Sequence, residues 1–394
     1  MSKKIISLLN LFVLTIVLSI STITNAQSKK IEVSGTILDE SNNPVPFVAV
    51  GIVKKYIGTA STEDGEFSFL ITNSELQDSL SISSLGYDPF KIKVADYLKL
   101  EKKEIILKET VTELDAIKLL SPNQYVENAL KFLKENTVSQ PHKIELLYRR
   151  AATESGKSKF FVENYIKIRD KGPAYPLGMI EVAQVRKSAD YRVWKRKQWT
   201  HSINYMGTGN PLRPSERQPN FKKFTWKKIG DSSYEGEDVV ILEGTNNKNK
   251  WQKYKLYIGV DNYGVYKIET GKTIYLYKKH SNGKLYLSYH AKEWGWSAKN
   301  NNSQIPREYW NTEAREISYR SEAFVYKIET DKKKARVRPF GGETDMGSID
   351  VPYDANFWKN LSMPPDTEFY KKIKSELESN YGVSLEKQYQ LVNK

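Results

Sequence analysis

The sequence predicts a mainly β protein. It comprises a small N-terminal β-sandwich over residues 28–109, a linker at 110–121, and a larger antiparallel β-sheet domain over 122–394 with a helix at each end. Three observations carry this. Apolar residues alternate with polar ones through most of the chain, as at Phe67, Phe69 and Ile71 and again at Leu80 and Ile82. Turn residues punctuate the runs, with Asn42-Asn43-Pro44, Asp64-Gly65 and Gly86 in the first hundred residues. Aromatic residues make up 12 % of the chain and include 25 tyrosines, a composition that favours half-buried strands over disorder.

In the first domain, Ile31, Val33 and Ile37 share one parity, and Asp64-Gly65 suits a tight hairpin with positive φ. The run Val33, Gly35, Asp39, Pro46, Val50, Gly58-Thr59, Asp64-Gly65, Phe67, Leu80, Ile82 and Gly86-Tyr87 resembles the carboxypeptidase regulatory-like domain. That domain is a transthyretin-like β-sandwich of Bacteroidetes envelope proteins. Thr62 stands where such domains usually carry Asp. The resemblance implies an accessory module without peptidase chemistry, so no catalytic residue is carried over.

Lys3 and Lys4, the apolar run Ile5–Leu18 and Thr24-Asn25-Ala26 before Gln27 read as a signal peptide spanning residues 1–26. The competing reading is an uncleaved membrane anchor. The expected location is the periplasm, either free or peripheral to the outer membrane, with no transmembrane helix in the mature chain. The absence of cysteine excludes an N-terminal lipid anchor, disulfides and thiolate chemistry.

Ser121-Pro122 reads as a helix start, with Tyr125, Val126, Ala129, Leu130 and Leu133 at helical spacing through Asn136. Strands are expected at Ile144–Arg150, Phe160–Ile168, Val239–Glu243, Tyr254–Ile258, Val265–Ile274, Leu285–His290 and Ile317–Ile328. Apolar and charged residues alternate in them, so one face of the sheet is expected dry and the other wet. The hairpin Lys255–Glu269 resembles those of exported lipid- or lipoprotein-binding half-barrels, a resemblance of hairpin style that implies a half-barrel as one form of this domain. Near the end, Asp366 is the expected cap of a helix with Phe369, Ile373 and Leu377, stopped at Gly382.

No enzyme, cofactor or metal site is expected. His290 and Glu293 have a zinc-ligand spacing, but residues three apart on a strand point to opposite faces. A partly exposed strand histidine is the expectation there. Asp170 and Glu181 form a carboxylate pair of a kind ordinary on a β-surface. Residues 28–109 hold 10 Lys against 13 Asp and Glu, a net of −3, while residues 110–394 carry +15. The basic groups cluster around aromatics: Arg186, Lys187, Arg192, Trp194, Lys195, Arg196 and Lys197, then Lys222, Lys223, Trp226, Lys227 and Lys228. A third run holds Lys332-Lys333-Lys334, Arg336 and Arg338. Single-stranded nucleic acid would suit such clusters, but an exported protein does not meet it. Anionic lipid, lipopolysaccharide or an acidic envelope protein fits the compartment, and a solvated charged surface is the plain alternative.

The expected function is that of a non-enzymatic binding or docking module at the periplasmic side of the outer membrane. The rivals are a periplasmic lipid- or lipoprotein-carrier half-barrel and a periplasmic hydrolase or carbohydrate-acting enzyme. In the second rival the site would lie under the 200–220 loop, which reads as a lid or a surface excursion.

Overall fold

The computed structural model describes residues 30–55, 57–110, 120–193, 203–298, 315–339 and 345–392. The leader 1–26 and most of the linker lie outside these residues. The first seven strands are β1 (Ile31–Asp39), β2 (Ala49–Ile52), β3 (Ile57–Ala60), β4 (Glu66–Ile71), β5 (Ser79–Ser83), β6 (Phe90–Lys93) and β7 (Glu104–Leu107). They form two sheets, β4-β1-β7 and β3-β2-β5-β6, with β1 and β7 parallel. Val33, Ile37, Val50, Phe67, Phe69, Leu80 and Ile82 fill the space between them, as the alternation requires. Asp64-Gly65 is a tight turn, with Gly65 at φ 74°, but it does not close a hairpin. β3 and β4 belong to different sheets, so the turn carries the chain across the sandwich. Backbone bonds hold it, from Thr62 N to Glu66 O (2.8 Å) and from Gly65 N to Thr62 O (3.1 Å).

Helix α1 (Pro122–Lys131) starts as expected. Ser121 Oγ accepts from Gln124 N, and the Gln124 side chain accepts from Ser121 N at 2.9 Å. The helix ends at Lys131, and Leu133–Asn136 forms a separate single turn.

The second domain is one ten-stranded antiparallel sheet: β8 (His142–Glu154), β9 (Lys157–Asp170), β10 (Met179–Lys187), β11 (Phe224–Tyr234), β12 (Glu237–Asn246), β13 (Lys253–Gly259), β14 (Val265–Thr270), β15 (Thr273–Lys279), β16 (Leu285–Ala298) and β17 (Arg315–Glu329). Its order is β10-β9-β8-β17-β16-β15-β14-β13-β12-β11, open at β10 and β11. Ser155-Gly156 and Glu235-Gly236 make two-residue turns with φ positive at both positions, matched to strand twist. The expected strand Val265–Ile274 is two strands, β14 and β15, turned at Gly271. Strands β10 and β11 have no counterpart in the sequence reading. Both are interrupted by a register shift, after Val182 and after Lys228, which breaks the alternation.

The sheet is covered on both faces, contrary to the one-sided reading. On the first face, Ile144, Leu146, Ile168 and Val325 lie under Ile203, Met206, Met346 and Ile349. Further along the sheet, Tyr125, Val126 and Ala129 of α1 pack over Leu242, Leu256 and Ile268. On the second face lie the sandwich and three C-terminal helices, α2 (Ala355–Asn360), α3 (Glu368–Ser379) and α4 (Leu385–Val392). Alternation failed as a guide here because charged residues on the second face are buried in pairs. The N-cap of α3 is Thr367 and not Asp366, whose carboxylate is engaged by Lys374 at 2.7 Å.

Candidate functional site

The described residues of the expected basic clusters do not form one surface. Arg186 Nε donates to Glu163 at 2.5 Å, and its guanidinium lies 4.4 Å from the Trp358 ring. Lys187 is buried and donates to Asp350 (2.7 Å) and to the carbonyls of Gly347 and Ile349. Arg192 is held by Asp190 through two bonds of 2.9 Å and stacks over Phe160. Trp226 is buried with its indole against Gly244, where any Cβ would fall 2.6 Å from the ring. Lys187 and Trp226 are buried, and Arg186 and Arg192 are each committed to a neighbouring carboxylate. Trp194, Lys195, Arg196 and Lys197 lie outside the described residues. Lys222, Lys223, Lys227 and Lys228 remain exposed, on edge strand β11 and the turn before it, with Lys228 paired to Asp231 at 2.8 Å.

The second face carries a row of charges that the sequence reading missed. Glu322, Arg149, Glu163 and Arg186 are direct cross-strand neighbours on β17, β8, β9 and β10. Arg149 pairs with Glu322 at 2.8 Å and Asp366 at 3.3 Å, and the Tyr370 ring lies 4.0 Å from its guanidinium. Arg320 joins Glu322 (3.0 Å) to Glu63 of the sandwich (2.6 Å). Burial pushes the Glu322 carboxyl up, but Arg149 and Arg320 more than offset this and hold it below the usual range. Glu163 behaves in the same way, with Arg186 opposing the burial. The only signal in the sequence was charge inside apolar strands, as in Leu147-Tyr148-Arg149-Arg150-Ala151.

Described residues of the 203–220 and 345–351 segments pack on the first face. The 200–220 loop is no surface excursion, because Ile203, Met206 and Leu212 are core residues. Its Arg213 is buried against Asp170 with bonds of 2.9 and 2.7 Å, and Asn210 donates to the Tyr277 hydroxyl at 2.6 Å. The cavity left among Ile144, Leu146, Met206, Arg213 and Tyr277 is about 20 Å³, room for roughly one water. A wider cleft of about 210 Å³ lies between the sandwich and the sheet, beside Phe47, Tyr87, Tyr234 and Lys278. An open groove of about 640 Å³ follows β10 past Tyr165, Glu181 and Phe357.

His290 is fully buried, against the expectation of partial exposure. Its Nδ1 is 3.0 Å from Ile274 O and its ring stacks on Tyr275 at 4.4 Å. Glu293 is paired with Lys272 at 3.0 Å. Glu181 pairs with Lys167 at 3.2 Å, so Asp170 and Glu181 each have a cation of their own.

The architecture defines a class: a β-sandwich docked on an open, ten-stranded antiparallel sheet. Within it, residues 33–119 match the CarboxypepD_reg-like domain, so the chain carries a carboxypeptidase regulatory-like domain over about a fifth of its length. No curated protein sequence matches the chain. Among solved structures, a LolA superfamily protein from Nitrosomonas europaea is 12 % identical with a TM-score of 0.27, over 56 % of this chain and 96 % of that one. A putative outer membrane lipoprotein-sorting protein domain from Vibrio parahaemolyticus is 13 % identical with a TM-score of 0.27, over 52 % and 93 %. A chain of the Pseudomonas aeruginosa MucA/MucB complex is 7 % identical with a TM-score of 0.18, over 57 % and 100 %. Likeness at this level carries no argument about ligand or partner.

Proposed function

We propose that this protein is a non-enzymatic docking module of the cell envelope, exported by its leader and held to an anionic envelope component by the β11 edge. The observation that carries the reading is the basic edge, where described lysines stand exposed together. Among the described residues, the cavity between the first face and the 203–220 loop is about 20 Å³, far less than an acyl chain requires, which weighs against a carrier that binds at that place. Asp170 and Glu181 are each paired with a cation of their own, so this pair does not supply the convergent carboxylates a hydrolase would use. The exposed lysines 222, 223, 227 and 228 lie together on one edge. No helix among the described residues is long and apolar enough to cross a membrane.

The test is co-sedimentation with anionic vesicles and with detergent-free outer membranes at low and high salt. Lysines near an anionic surface contribute about 1 kcal/mol each. Changing Lys222, Lys223, Lys227 and Lys228 to Gln should therefore weaken low-salt binding by about 100-fold or more. Added salt should do the same to the native protein. Binding that is absent at low salt, or that survives both salt and substitution, overturns the reading.

A further inference from the structure

The turn between β12 and β13 sits beside the exposed lysines. Asn247 N donates to Lys223 O at 2.9 Å, and Thr225 Oγ1 donates to the Asn247 side chain at 2.7 Å. Trp251 stands at its tip and is 96 % exposed. The turn is held by its asparagines and not by the indole. Asn246 Oδ1 accepts from Lys248 N (2.9 Å) and Asn249 N (3.3 Å), while Asn246 Nδ2 donates to Gln252 at 2.7 Å. Asn249 Oδ1 accepts from Trp251 N at 3.1 Å, and Gln252 N donates to Asn249 O at 3.0 Å. Hydrogen bonds thus aim into solvent the side chain with the largest apolar surface, on a turn that would close without it.

Charge surrounds it. Residues 220–228 and 244–253 contain seven lysines and no Asp or Glu. Lys222, Lys223, Lys248 and Lys250 are exposed and have no ion-pair partner among the described residues. An indole with an apolar body and one N–H donor suits the boundary between headgroups and acyl chains, and lysines around it suit lipid phosphates.

We propose that this tip is a membrane-interfacial anchor: Trp251 enters the headgroup–acyl boundary of an anionic bilayer while Lys222, Lys223, Lys248 and Lys250 engage its phosphates. The proposal rests on the docking reading and names a bilayer as the surface. Its test uses the full mature chain with phosphatidylcholine vesicles containing or lacking phosphatidylglycerol, some carrying brominated acyl chains that quench nearby indoles. Native protein should bind the anionic vesicles, and its fluorescence should be quenched by the brominated lipid. Trp251→Phe should abolish that quenching, and Trp251→Ala should weaken partitioning about tenfold. Both variants should unfold at the native denaturant midpoint, because the indole contributes no packing. Gln at Lys222, Lys223, Lys248 and Lys250 should remove binding, whereas Gln at Lys332, Lys333 and Lys334 should leave it unchanged. Salt-sensitive binding that ignores Trp251 and gives no quenching overturns the anchor and leaves the docking reading standing. If anionic vesicles are not bound but outer membranes are, the surface is lipopolysaccharide or an acidic protein and the anchor is overturned. Binding to neither sinks both.

Discussion

His290 shows how a side chain that looks catalytic becomes structural. Burial, opposed by the Ile274 carbonyl, lowers its pKa to about 3 from an ordinary 6.5. The ring is therefore neutral in the folded protein while the unfolded chain takes up a proton near pH 6.5. The folded pKa is depressed, so the associated stability is fully present above pH 6.5. It is lost progressively as pH falls toward 3. Urea unfolding between pH 7 and pH 5 should show stability falling with pH, and His290→Phe, which keeps the stack on Tyr275, should flatten that slope. Equal slopes in the two proteins would show that another group sets the dependence.

At the scale of elements, the row Glu322–Arg149–Glu163–Arg186 ties four strands together beneath α3. Buried ion pairs add little net stability when compared with apolar packing, but breaking one leaves an unpaired charge in a dry site. Arg149→Met alone should cost about 3–5 kcal/mol for that reason. Arg149→Met with Glu322→Leu should recover most of the loss, because both charges then leave together. Denaturant midpoints for the two single variants and the double variant measure this. Additive losses would mean that the pair is not the interaction that holds β8 to β17.

At the scale of the molecule, the sandwich is fastened both to the sheet and to the C-terminal segment. Glu63 pairs with Arg320, Asp64 accepts from the Glu368 amide at 2.9 Å, and Leu70 N donates to Ser362 Oγ at 2.9 Å. Phe47 stacks on Tyr289 at 4.7 Å while holding φ at 61°, a left-handed conformation that costs a non-glycine residue about 1–2 kcal/mol. The accessory module and the body are thus expected to unfold in one cooperative transition, with calorimetric and van't Hoff enthalpies equal. Phe47→Ala should lower the temperature of that transition without splitting it. Two separated transitions in the native protein would mean that the contacts join independently stable domains.

Short-range chemistry was legible without a structure. Alternation located the sandwich core around Phe67 and Phe69. Ser121-Pro122 marked the start of α1, and Asp64-Gly65 marked a tight turn with positive φ. Each depends on residues close in sequence, where backbone dihedrals and strand period act alone. Tertiary structure decided which charges are available. Arg186 and Lys228 look alike in the chain, yet one is buried against Glu163 and the other lies on an open edge. Strand β17 is inserted beside β8, and Arg320 meets Glu63 across more than 250 residues. Pairing of that kind is fixed by which faces meet when the sheet and sandwich close, and composition does not encode it. The same closure sets Trp251, one of eight tryptophans, outside the packed core.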